Sequence, residues 1–395
     1  MSVALGSRDH TRLRVTPVTR NLPETDSASL EHSARVSRAI KEIIRTEEGW
    51  IPFSKYMDLA MFAPRLGYYS AGAAKIGAAG DFTTAPEMSA LFGTTLAKQV
   101  AQILSVTGGD VLEFGAGSGK LACDLLRGLG KLGCEPRQYF ILEPSPDLRE
   151  RQRALLKKEL PAFYSRINWI DGLQEKFSGV MIANEVLDAM PIDLISWQAD
   201  GIYQRGVAVS DAGFVWLDRQ LESGALLDLA LTMNVAPGYV SEIHLAGAAF
   251  VRSLGDSLQH GVALLIDYGF LDHEYYHPDR NTGTLMCHYR HRAHTDPFFL
   301  PGAQDVTAHV NFSAMMNAAQ SAGLDVEGYT TQAKFLIASG ITEQLSQIDP
   351  ANAAQYLPIA NQAQRLLSPA EMGELFKVMA VGRNIDFPLL GFARP

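Results

Sequence analysis

The pattern of hydrophobic and polar residues changes its period near residue 110. Before that point, apolar residues recur at helical spacing over 30–48, and this spacing predicts a helix. A second helix is predicted over 84–104, because a proline and an acidic residue suit its first turn. Small residues and glycines fill 70–80, which predicts a mobile loop. The aromatic stretch 53–69 is more typical of a core than of a substrate groove.

After residue 110 the chain alternates short apolar runs with amphipathic helical patterns. This alternation is typical of an α/β protein with a largely parallel sheet. The predicted strands cover 111–114, 139–143, 167–170, 179–184, 262–269, 325–331 and 375–381, and the predicted helices cover 120–129, 147–160, 245–258 and 312–322.

Two stretches interrupt the alternation. Residues 192–218 alternate polar and apolar positions around two turn sequences, which predicts antiparallel hairpins inserted into the α/β unit. Residues 271–311 are polar, aromatic and histidine-rich, and the segment is too long for a simple connecting loop without a role of its own. The predicted organisation is a disordered tail over 1–30, an N-terminal helical or lid segment over 31–108, and a core over 109–395 that contains both insertions.

Composition narrows the class of protein. The chain has 395 residues, a formal net charge of −9 and a pI of 5.6. An acidic balance argues against a dedicated nucleic-acid binder, which needs a basic face. It is compatible with a basic, arginine-bearing protein partner, and more simply with a soluble enzyme whose charge serves solubility.

The cysteines and the first residues of the chain indicate in which cellular compartment the protein works. The three cysteines form no CxxC pair and lie near no zinc-like histidine spacing, so neither a metal site nor a disulfide is expected. A reducing compartment fits, and the cytoplasm of a bacterium is the main expectation. No apolar run is long enough to span a bilayer. The first 20 residues carry four arginines against one aspartate and weakly resemble a transit peptide, so the mitochondrial matrix is the alternative.

The most specific motif follows the first predicted strand. Residues 113–119 read Glu-Phe-Gly-Ala-Gly-Ser-Gly, and a glycine turn between a strand and a helix lets backbone N–H groups approach a ligand closely. A dinucleotide site requires a glycine where Lys120 stands. A carboxylate at Glu113 disfavours a pyrophosphate and suits a cationic ligand with an amino-acid tail, such as S-adenosylmethionine. The predicted cofactor residues of this turn are Glu113, Gly115, Gly117 and Ser118.

Later strand ends supply further candidates for a nucleoside site. Glu143 ends the second strand at the offset where a carboxylate accepts both ribose hydroxyls, a placement that nicotinamide sites share. Asp171 and Gly172 follow the third strand, where they either face the adenine amino group or form only a turn. Asn184 follows the fourth strand and is the candidate for contact with the reactive end of the cofactor.

The loop after the fourth strand supplies the candidate catalytic residues, Glu185 and Asp188. Methyl transfer is an in-line displacement, so alignment is most of what a protein supplies. A guanidinium acceptor is always charged, and a carboxylate pair can localise that charge and leave one nitrogen free to attack. The alternative is that Asp188 caps a helix and that only Asn184 touches the cofactor.

Three more positions are candidates for the acceptor side or a lid. Thr84 and Glu87 follow the predicted mobile loop, and His288 lies in the polar insertion. The histidines of that insertion lack the spacing of a metal site, so a hydrogen-bonding role is favoured for one or two of them. The sequence Asp-Tyr-Gly at 267–269 ends the fifth predicted strand. It either lies at the edge of the sheet that carries the site or forms only a turn at the strand end.

Taken in order, several motifs resemble the MidA-like methyltransferases, whose mitochondrial members are complex I assembly factors. The resemblance extends from about residue 37 to 381. Its motifs are Ile51-Pro52-Phe53, Tyr56-Met57, Gly67-Tyr68-Tyr69, the segments 80–87, 113–119 and 183–191, Glu143-Pro144-Ser145, Asp267-Tyr268-Gly269 and the segment 302–310.

The resemblance implies an α/β fold: a Rossmann-like, seven-stranded class I methyltransferase core with an added lobe. It also implies S-adenosylmethionine as cofactor and, for the mitochondrial members, methylation of an arginine in a protein subunit. Asn311 stands where the family pattern favours aspartate, so the resemblance gives no carboxylate a role at that point.

The expected function is therefore methyl transfer from S-adenosylmethionine to a protein arginine. One alternative is the same chemistry on a small metabolite. A nicotinamide-dependent oxidoreductase is disfavoured by Lys120 and Glu113. A third alternative is an assembly factor without catalysis that keeps the cofactor fold as a relic.

Overall fold

The computed structural model describes residues 22–70 and 83–393. Most of the predicted disordered tail and almost all of the predicted mobile loop lie outside these residues. Within them, the first helix begins at Ser27, because the Asp26 carboxylate accepts a hydrogen bond from the Ser29 backbone N–H at 2.8 Å. No helix in the described ranges is long and apolar enough to cross a membrane.

The strands of the described residues fall into three sheets. In chain order they are β1 Trp50–Pro52, β2 Asp110–Phe114, β3 Tyr139–Leu142, β4 Ile167–Ile170, β5 Phe177–Asn184, β6 Asp193–Gln198, β7 Gly201–Ser210, β8 Gly213–Gln220, β9 Tyr239–Ile243, β10 Leu258–Phe270, β11 Met286–Tyr289, β12 Arg292–His294, β13 Asp305–Thr307, β14 Val310–Asn311, β15 Asp325–Thr331 and β16 Phe376–Arg383.

Helices cover the faces of the largest sheet and build part of a second lobe. In chain order they are α1 Ser27–Thr46, α2 Phe53–Phe62, α3 Ala85–Met88, α4 Ala90–Thr107, α5 Lys120–Lys131, α6 Pro146–Glu159, α7 Ala225–Thr232, α8 Leu245–Ser257, α9 Asp272–Tyr275, α10 Phe312–Ser321, α11 Gln332–Ala338, α12 Ile341–Ser346 and α13 Ala353–Leu367.

The central sheet has the strand order β15-β16-β10-β5-β2-β3-β4, with the short β14 beside the end of β10. The strands from β10 to β4 are parallel, while β16 runs antiparallel to both of its neighbours. These seven strands are the class I methyltransferase core that the resemblance implies. The order reverses between β2 and β5, and in such sheets ligands bind outside the carboxyl ends of the strands at this point.

Each face of the central sheet has its own hydrophobic core, because successive side chains of a strand point to opposite faces. Val111, Val180 and Val262 pack on one face with residues of α4 and α5. Leu112 and Met181 pack on the other face with residues of α8 and α10. Burial on both faces explains why the strands read as continuous apolar runs.

The second lobe is built from segments that are far apart in sequence. The hairpins of β6, β7 and β8 are present as predicted, and they join β1 and β9 in one antiparallel sheet. A single buried cluster contains Ile40 of α1, Tyr56 of α2, Val207 of β7 and Val306 of β13. The N-terminal helices and both insertions therefore form one lobe around a shared core.

Two features differ from the sequence-based expectation. The helix predicted over 84–104 is divided into α3 and α4 at Ser89, whose backbone is extended. The Ser89 hydroxyl accepts a hydrogen bond from the Leu91 backbone N–H and so caps the start of α4. The boundary placed at residue 108 falls after α4, whose apolar face packs in the core of the central sheet. Sequence position alone places α4 with the N-terminal segment, whereas its packing places it with the core.

Candidate active site

The glycine turn that follows β2 adopts backbone conformations that favour glycine. Gly115, Gly117 and Gly119 have φ angles of 58°, 54° and 86°. At Gly119 an added Cβ would lie 3.3 Å from Cγ of Gln152, so the turn is also closely packed against α6. The turn opens directly into α5, which begins at Lys120. Free backbone N–H groups at such a helix start are available to a ligand.

A cavity of about 300 Å³ lies beside this turn at the carboxyl ends of the parallel strands. It is lined mainly by apolar side chains, with a few polar groups among them, as is typical of a small-molecule site. Nine of the thirteen predicted site residues line it, and they are Thr84, Glu87, Glu113, Gly115, Gly117, Ser118, Glu143, Asn184 and Glu185.

Glu113 is a buried carboxyl group on the cavity wall. The Tyr139 hydroxyl donates a hydrogen bond of 2.6 Å to its Oε2 atom. Burial raises the pKa of Glu113 to about 7, although the hydrogen bond from Tyr139 opposes this shift. A cationic group in the cavity would favour the ionised form of this carboxyl.

Glu143 follows β3 and is almost completely buried. Its Oε1 atom accepts a hydrogen bond from the Ser145 backbone N–H at 3.0 Å, and its Oε2 atom accepts one from Gln152 Nε2 at 3.1 Å. Burial raises its pKa, and these two hydrogen bonds lower it in part. The carboxylate is thus fixed at the strand end where the sequence predicts a ribose contact.

The glycine turn also contacts the short helix α3. The Ser118 hydroxyl donates a hydrogen bond to the Glu87 carboxylate, and the same hydroxyl accepts one from the Lys120 backbone N–H at 3.3 Å. This contact brings the predicted residues Ser118 and Glu87 together across 31 positions of sequence. The segment before the core therefore closes one side of the cavity.

The loop after β5 places a strained residue at the cavity. Glu185 has a φ of 52°, a left-handed conformation that is uncommon for residues other than glycine and that clusters at functional sites. Its backbone N–H donates to the Ile266 carbonyl oxygen at 2.9 Å, which holds the turn in place. The neighbouring Asn184 donates from Nδ2 to Glu185 Oε1 at 3.2 Å.

Two buried acids, Asp188 and Asp267, support the loop that carries the partly buried Glu185. Asp188 Oδ2 accepts a hydrogen bond of 2.5 Å from the Tyr268 hydroxyl. Asp267 Oδ2 accepts hydrogen bonds from the backbone N–H groups of Leu187 and Asp188, at 3.0 and 3.2 Å. None of the ion pairs in the described ranges includes Glu185, Asp188 or Asp267.

This grouping of acids perturbs their titration. Burial, followed by the charge of Asp188, raises the pKa of Glu185 to about 8. Burial raises the pKa of Asp188 to about 6 against its hydrogen bond from Tyr268. The pKa of Asp267 is raised well above its ordinary value by burial and then by the charges of Asp188 and Glu185. Such perturbed groups at a cavity are candidates for chemistry.

Four predicted site residues do not line the cavity. The Asp171 side chain is 88% exposed and pairs with Arg149 at 2.7 Å, and Gly172 is exposed beside it. Asp188 is buried and does not line the cavity, and its carboxylate accepts the hydrogen bond from Tyr268. His288 lies on β11, opposite Asp305 in the ladder with β13. The Asp267-Tyr268 pair, left open between function and a turn, supports the loop through the contacts above.

Several cavity residues were not predicted. Phe62 and Tyr69 come from the second lobe, with ring centroids 5.6 Å apart in a stacked arrangement. The Tyr69 hydroxyl donates to Asp305 Oδ1 at 3.2 Å. Phe250 of α8 also lines the cavity and packs on Phe114. The aromatic crowding of 53–69 was the available signal, but nothing local distinguishes a cavity wall from a core.

Asn311 has a structural role in this fold. Its Oδ1 atom accepts a hydrogen bond from the Ala314 backbone N–H at 3.1 Å, which caps α10. Its Nδ2 atom donates to Asp272 at 2.7 Å. An amide can both accept and donate in this way, whereas an aspartate here would face the Asp272 carboxylate.

The fold and the site together define a class I methyltransferase. A model of a family described as "Putative S-adenosyl-L-methionine-dependent methyltransferase" matches residues 95–330. A Burkholderia thailandensis protein, whose crystal structure holds S-adenosyl-homocysteine, is 50% identical in sequence to this chain. The two structures align with a TM-score of 0.92 over 95% of this chain and 98% of that chain.

Two mitochondrial relatives are more distant. The protein arginine methyltransferase NDUFAF7 homolog of Drosophila melanogaster is 27% identical, over 94% of this chain and 91% of its own length. The human protein arginine methyltransferase NDUFAF7 is 27% identical, over 84% of this chain and 80% of its own length. The chain belongs to the MidA-like family of S-adenosylmethionine-dependent methyltransferases.

The residues of the cavity fit S-adenosylmethionine, the cofactor of this family. Glu143 offers a buried carboxylate at the strand end where such proteins bind a ribose. The buried Oδ1 atom of Asn184 has no hydrogen-bond partner among the described residues, so it is available to a ligand donor. Glu113 can balance a cationic group. We find no group of three or more metal-ligating side chains in the part of the chain that the structure describes.

Proposed function

We propose that this enzyme methylates an arginine side chain of a protein partner. S-adenosylmethionine, when bound, supplies an electrophilic methyl group on a sulfonium. The remaining question is which acceptor the site can hold. The acids around Glu185 favour a cationic acceptor, and the net charge of −9 favours a basic partner.

The observation that carries the proposal is the partly buried Glu185 carboxyl on the cavity wall, together with the buried acids Asp188 and Asp267, whose pKa values are also raised. Mutual repulsion and burial hold Glu185 largely protonated near neutral pH. A guanidinium in the cavity would pair with the ionised form and so relieve the desolvation of the carboxylate. Its planar fork of N–H donors also matches a carboxylate, which can accept two of them.

The proposed roles of the residues follow from their positions. Glu185, in its ionised form, accepts hydrogen bonds from two guanidinium nitrogens, one of which is the nitrogen to be methylated. That nitrogen must lose one proton when it gains the methyl group, and the Glu185 carboxylate bonded to it is placed to accept that proton. Asp188 does not line the cavity and acts on Glu185 through its charge. Asp267 fixes the loop by holding two backbone N–H groups.

The named relatives agree with this acceptor, since their names describe protein arginine methyltransferases. At 27% identity they support the proposal and leave the acceptor to experiment. For the compartment we favour a bacterial cytoplasm, because the Burkholderia thailandensis protein is 50% identical whereas the mitochondrial relatives are 27% identical. The mitochondrial matrix is the alternative.

Labelled methyl transfer tests the proposal. The purified protein is incubated with methyl-labelled S-adenosylmethionine and a lysate of its host cells, and the products are separated by size. We expect label in a protein band, and acid hydrolysis of that band should release methylarginine. Glu185→Gln should abolish most of the incorporation, whereas Glu175→Gln, at an exposed position, should not.

The outcomes separate the alternatives. Label confined to small molecules would favour a metabolite acceptor and refute the protein acceptor. Label in a protein as methyllysine or as a base-labile ester would refute arginine. Binding of S-adenosyl-homocysteine without any transfer, across lysates from several growth conditions, would favour the assembly factor.

A further inference from the structure

Gln152 of α6 is fully buried, although glutamine is usually exposed. Its Nε2 atom donates to Glu143 Oε2 at 3.1 Å and to the Gly117 carbonyl oxygen at 2.9 Å. Its Oε1 atom accepts from Trp169 Nε1 at 2.8 Å. Gln152 is not on the cavity wall, yet both of its acceptors are.

The chemistry of its partners determines the orientation of this amide. The indole N–H of Trp169 can only donate, whereas the Glu143 carboxylate and the Gly117 carbonyl can only accept. The amide oxygen of Gln152 must therefore face Trp169, and the NH₂ group must face the cavity residues. A flipped amide would lose all three hydrogen bonds, so Trp169 fixes the direction in which Gln152 donates.

The hydrogen bonds to Glu143 leave a specific pattern of free acceptor positions. A carboxylate has about four such positions, two on each oxygen. Ser145 uses one on Oε1 and Gln152 uses one on Oε2. The Gly117 backbone N–H also bonds to this carboxylate and uses a further position. About one acceptor position therefore remains, and it suits a hydroxyl of a ribose.

We propose that Gln152, oriented by Trp169, is a positioning residue for the nucleoside end of S-adenosylmethionine. It holds the Glu143 carboxylate in the rotamer that faces the cavity, and it ties that carboxylate to the glycine turn through the Gly117 carbonyl. The proposal depends on the cofactor of the family and not on the acceptor, so it stands even if the acceptor is not arginine.

Gln152→Leu tests the proposal because it keeps most of the volume and removes the donors. Calorimetry with S-adenosyl-homocysteine should give a Kd about tenfold higher than that of the wild type, the effect of losing one hydrogen bond to a charged group. Gln332→Leu is the matched control. Gln332 is also fully buried and donates to the Leu366 carbonyl oxygen at 3.0 Å, away from the cavity. It should lower thermal stability similarly without changing the Kd.

The pH dependence of binding gives a readout that a purely structural role would not change. Gln152 lowers the pKa of Glu143, so its removal should raise that pKa further. Binding requires the ionised carboxylate, and its loss at acid pH should therefore begin at a higher pH in Gln152→Leu than in the wild type. Gln332→Leu should show no such displacement.

Two further variants separate the outcomes. Trp169→Phe removes the hydrogen bond that orients the Gln152 amide, so it should also raise the Kd, by a smaller factor than Gln152→Leu. This variant replaces Gln152→Leu in the test if Gln152→Leu does not fold. In the double variant with Glu143→Ala, loss of Gln152 should add little, because it acts through Glu143. An unchanged Kd in both single variants, strictly additive effects, or equal weakening by Gln332→Leu would each overturn the proposal.

Discussion

Glu185 concentrates the unusual features of the site in one residue. It is partly buried on the cavity wall, it has a left-handed backbone, and its pKa is raised to about 8 by desolvation of its carboxyl and by Asp188. A strained conformation of this kind costs on the order of 1 kcal/mol or more and persists only where the surroundings enforce it. Here the hydrogen bond from its N–H to Ile266 and the Asp267 contacts of the loop enforce it.

The raised pKa of Glu185 predicts how stability depends on pH. The ordinary value is 4.5, so between that pH and about 8 the folded protein holds a proton that the unfolded chain has released. The free energy of unfolding therefore falls as pH rises across this window. Glu185→Gln removes this titrating group. The free energy of unfolding of the variant should therefore exceed that of the wild type by a margin that grows between pH 5 and pH 8 to roughly a few kcal/mol.

Urea unfolding at pH 5, 6, 7 and 8 measures this difference. Glu175→Gln, at an exposed position, is the control and should track the wild type at every pH. A difference between Glu185→Gln and wild type that is constant with pH would show that Glu185 titrates near its ordinary value.

Glu143 carries the second prediction at the residue scale. Glu143→Ala should raise the Kd for S-adenosyl-homocysteine by about 30-fold or more, because each hydrogen bond to a charged group contributes roughly 1.5–3 kcal/mol. Asp171→Ala is the comparison, since that side chain is 88% exposed. Calorimetry should show little change for it; a large effect of Asp171→Ala would mean that the loop after β4 closes onto the nucleoside.

At the scale of elements, the ends of β5 and β10 are joined by Asp267. Its carboxylate accepts N–H groups from Leu187 and Asp188 in the loop, and from Tyr268 on its own strand. Asp267→Ala should therefore release the loop that carries Glu185. We expect methyl transfer to fall at least tenfold while the Kd for S-adenosyl-homocysteine changes less than threefold, because the nucleoside residues lie on other strands.

Asp267→Asn is the matched variant, since it keeps the shape and one acceptor oxygen. It should retain more activity than Asp267→Ala in the same single-turnover assay. Loss of cofactor binding in parallel with activity would indicate general unfolding of the site instead of release of one loop.

At the scale of the whole molecule, the second lobe depends on the close approach of β1 and β7. A Cβ added at Gly206 would lie 2.3 Å from the Ile51 carbonyl oxygen and 2.4 Å from the Trp50 ring. Gly206→Ala should force these strands apart and displace α2, which carries Phe62 to the cavity. We expect a loss of roughly 1–3 kcal/mol in the free energy of unfolding, as for other overpacked sites, together with reduced methyl transfer.

Gly172→Ala provides the control, because no atom lies within 4 Å of the added Cβ and the glycine has no left-handed φ. Thermal unfolding and limited proteolysis should leave this variant indistinguishable from wild type. Equal stability of Gly206→Ala and wild type would show that the pairing of β1 with β7 is dispensable.

The sequence by itself determined the order along the chain in which the strands and helices of the central sheet follow one another. The strand ends were predicted to within a few residues, because hydrophobic period and glycine position are local properties of the chain. The same locality placed the glycine turn and Glu143, since the ends of consecutive parallel strands necessarily meet at one edge. Family motifs then supplied the cofactor.

Only the tertiary structure decided which residues enclose the acceptor side. Trp50–Pro52 pairs with a strand more than 150 positions later, and this pairing brings Phe62 and Tyr69 to the cavity. Asp171 is exposed and pairs with Arg149, while Asp188 is buried and accepts a hydrogen bond from Tyr268. These outcomes depend on contacts between residues far apart in sequence, whose free energies no local pattern encodes.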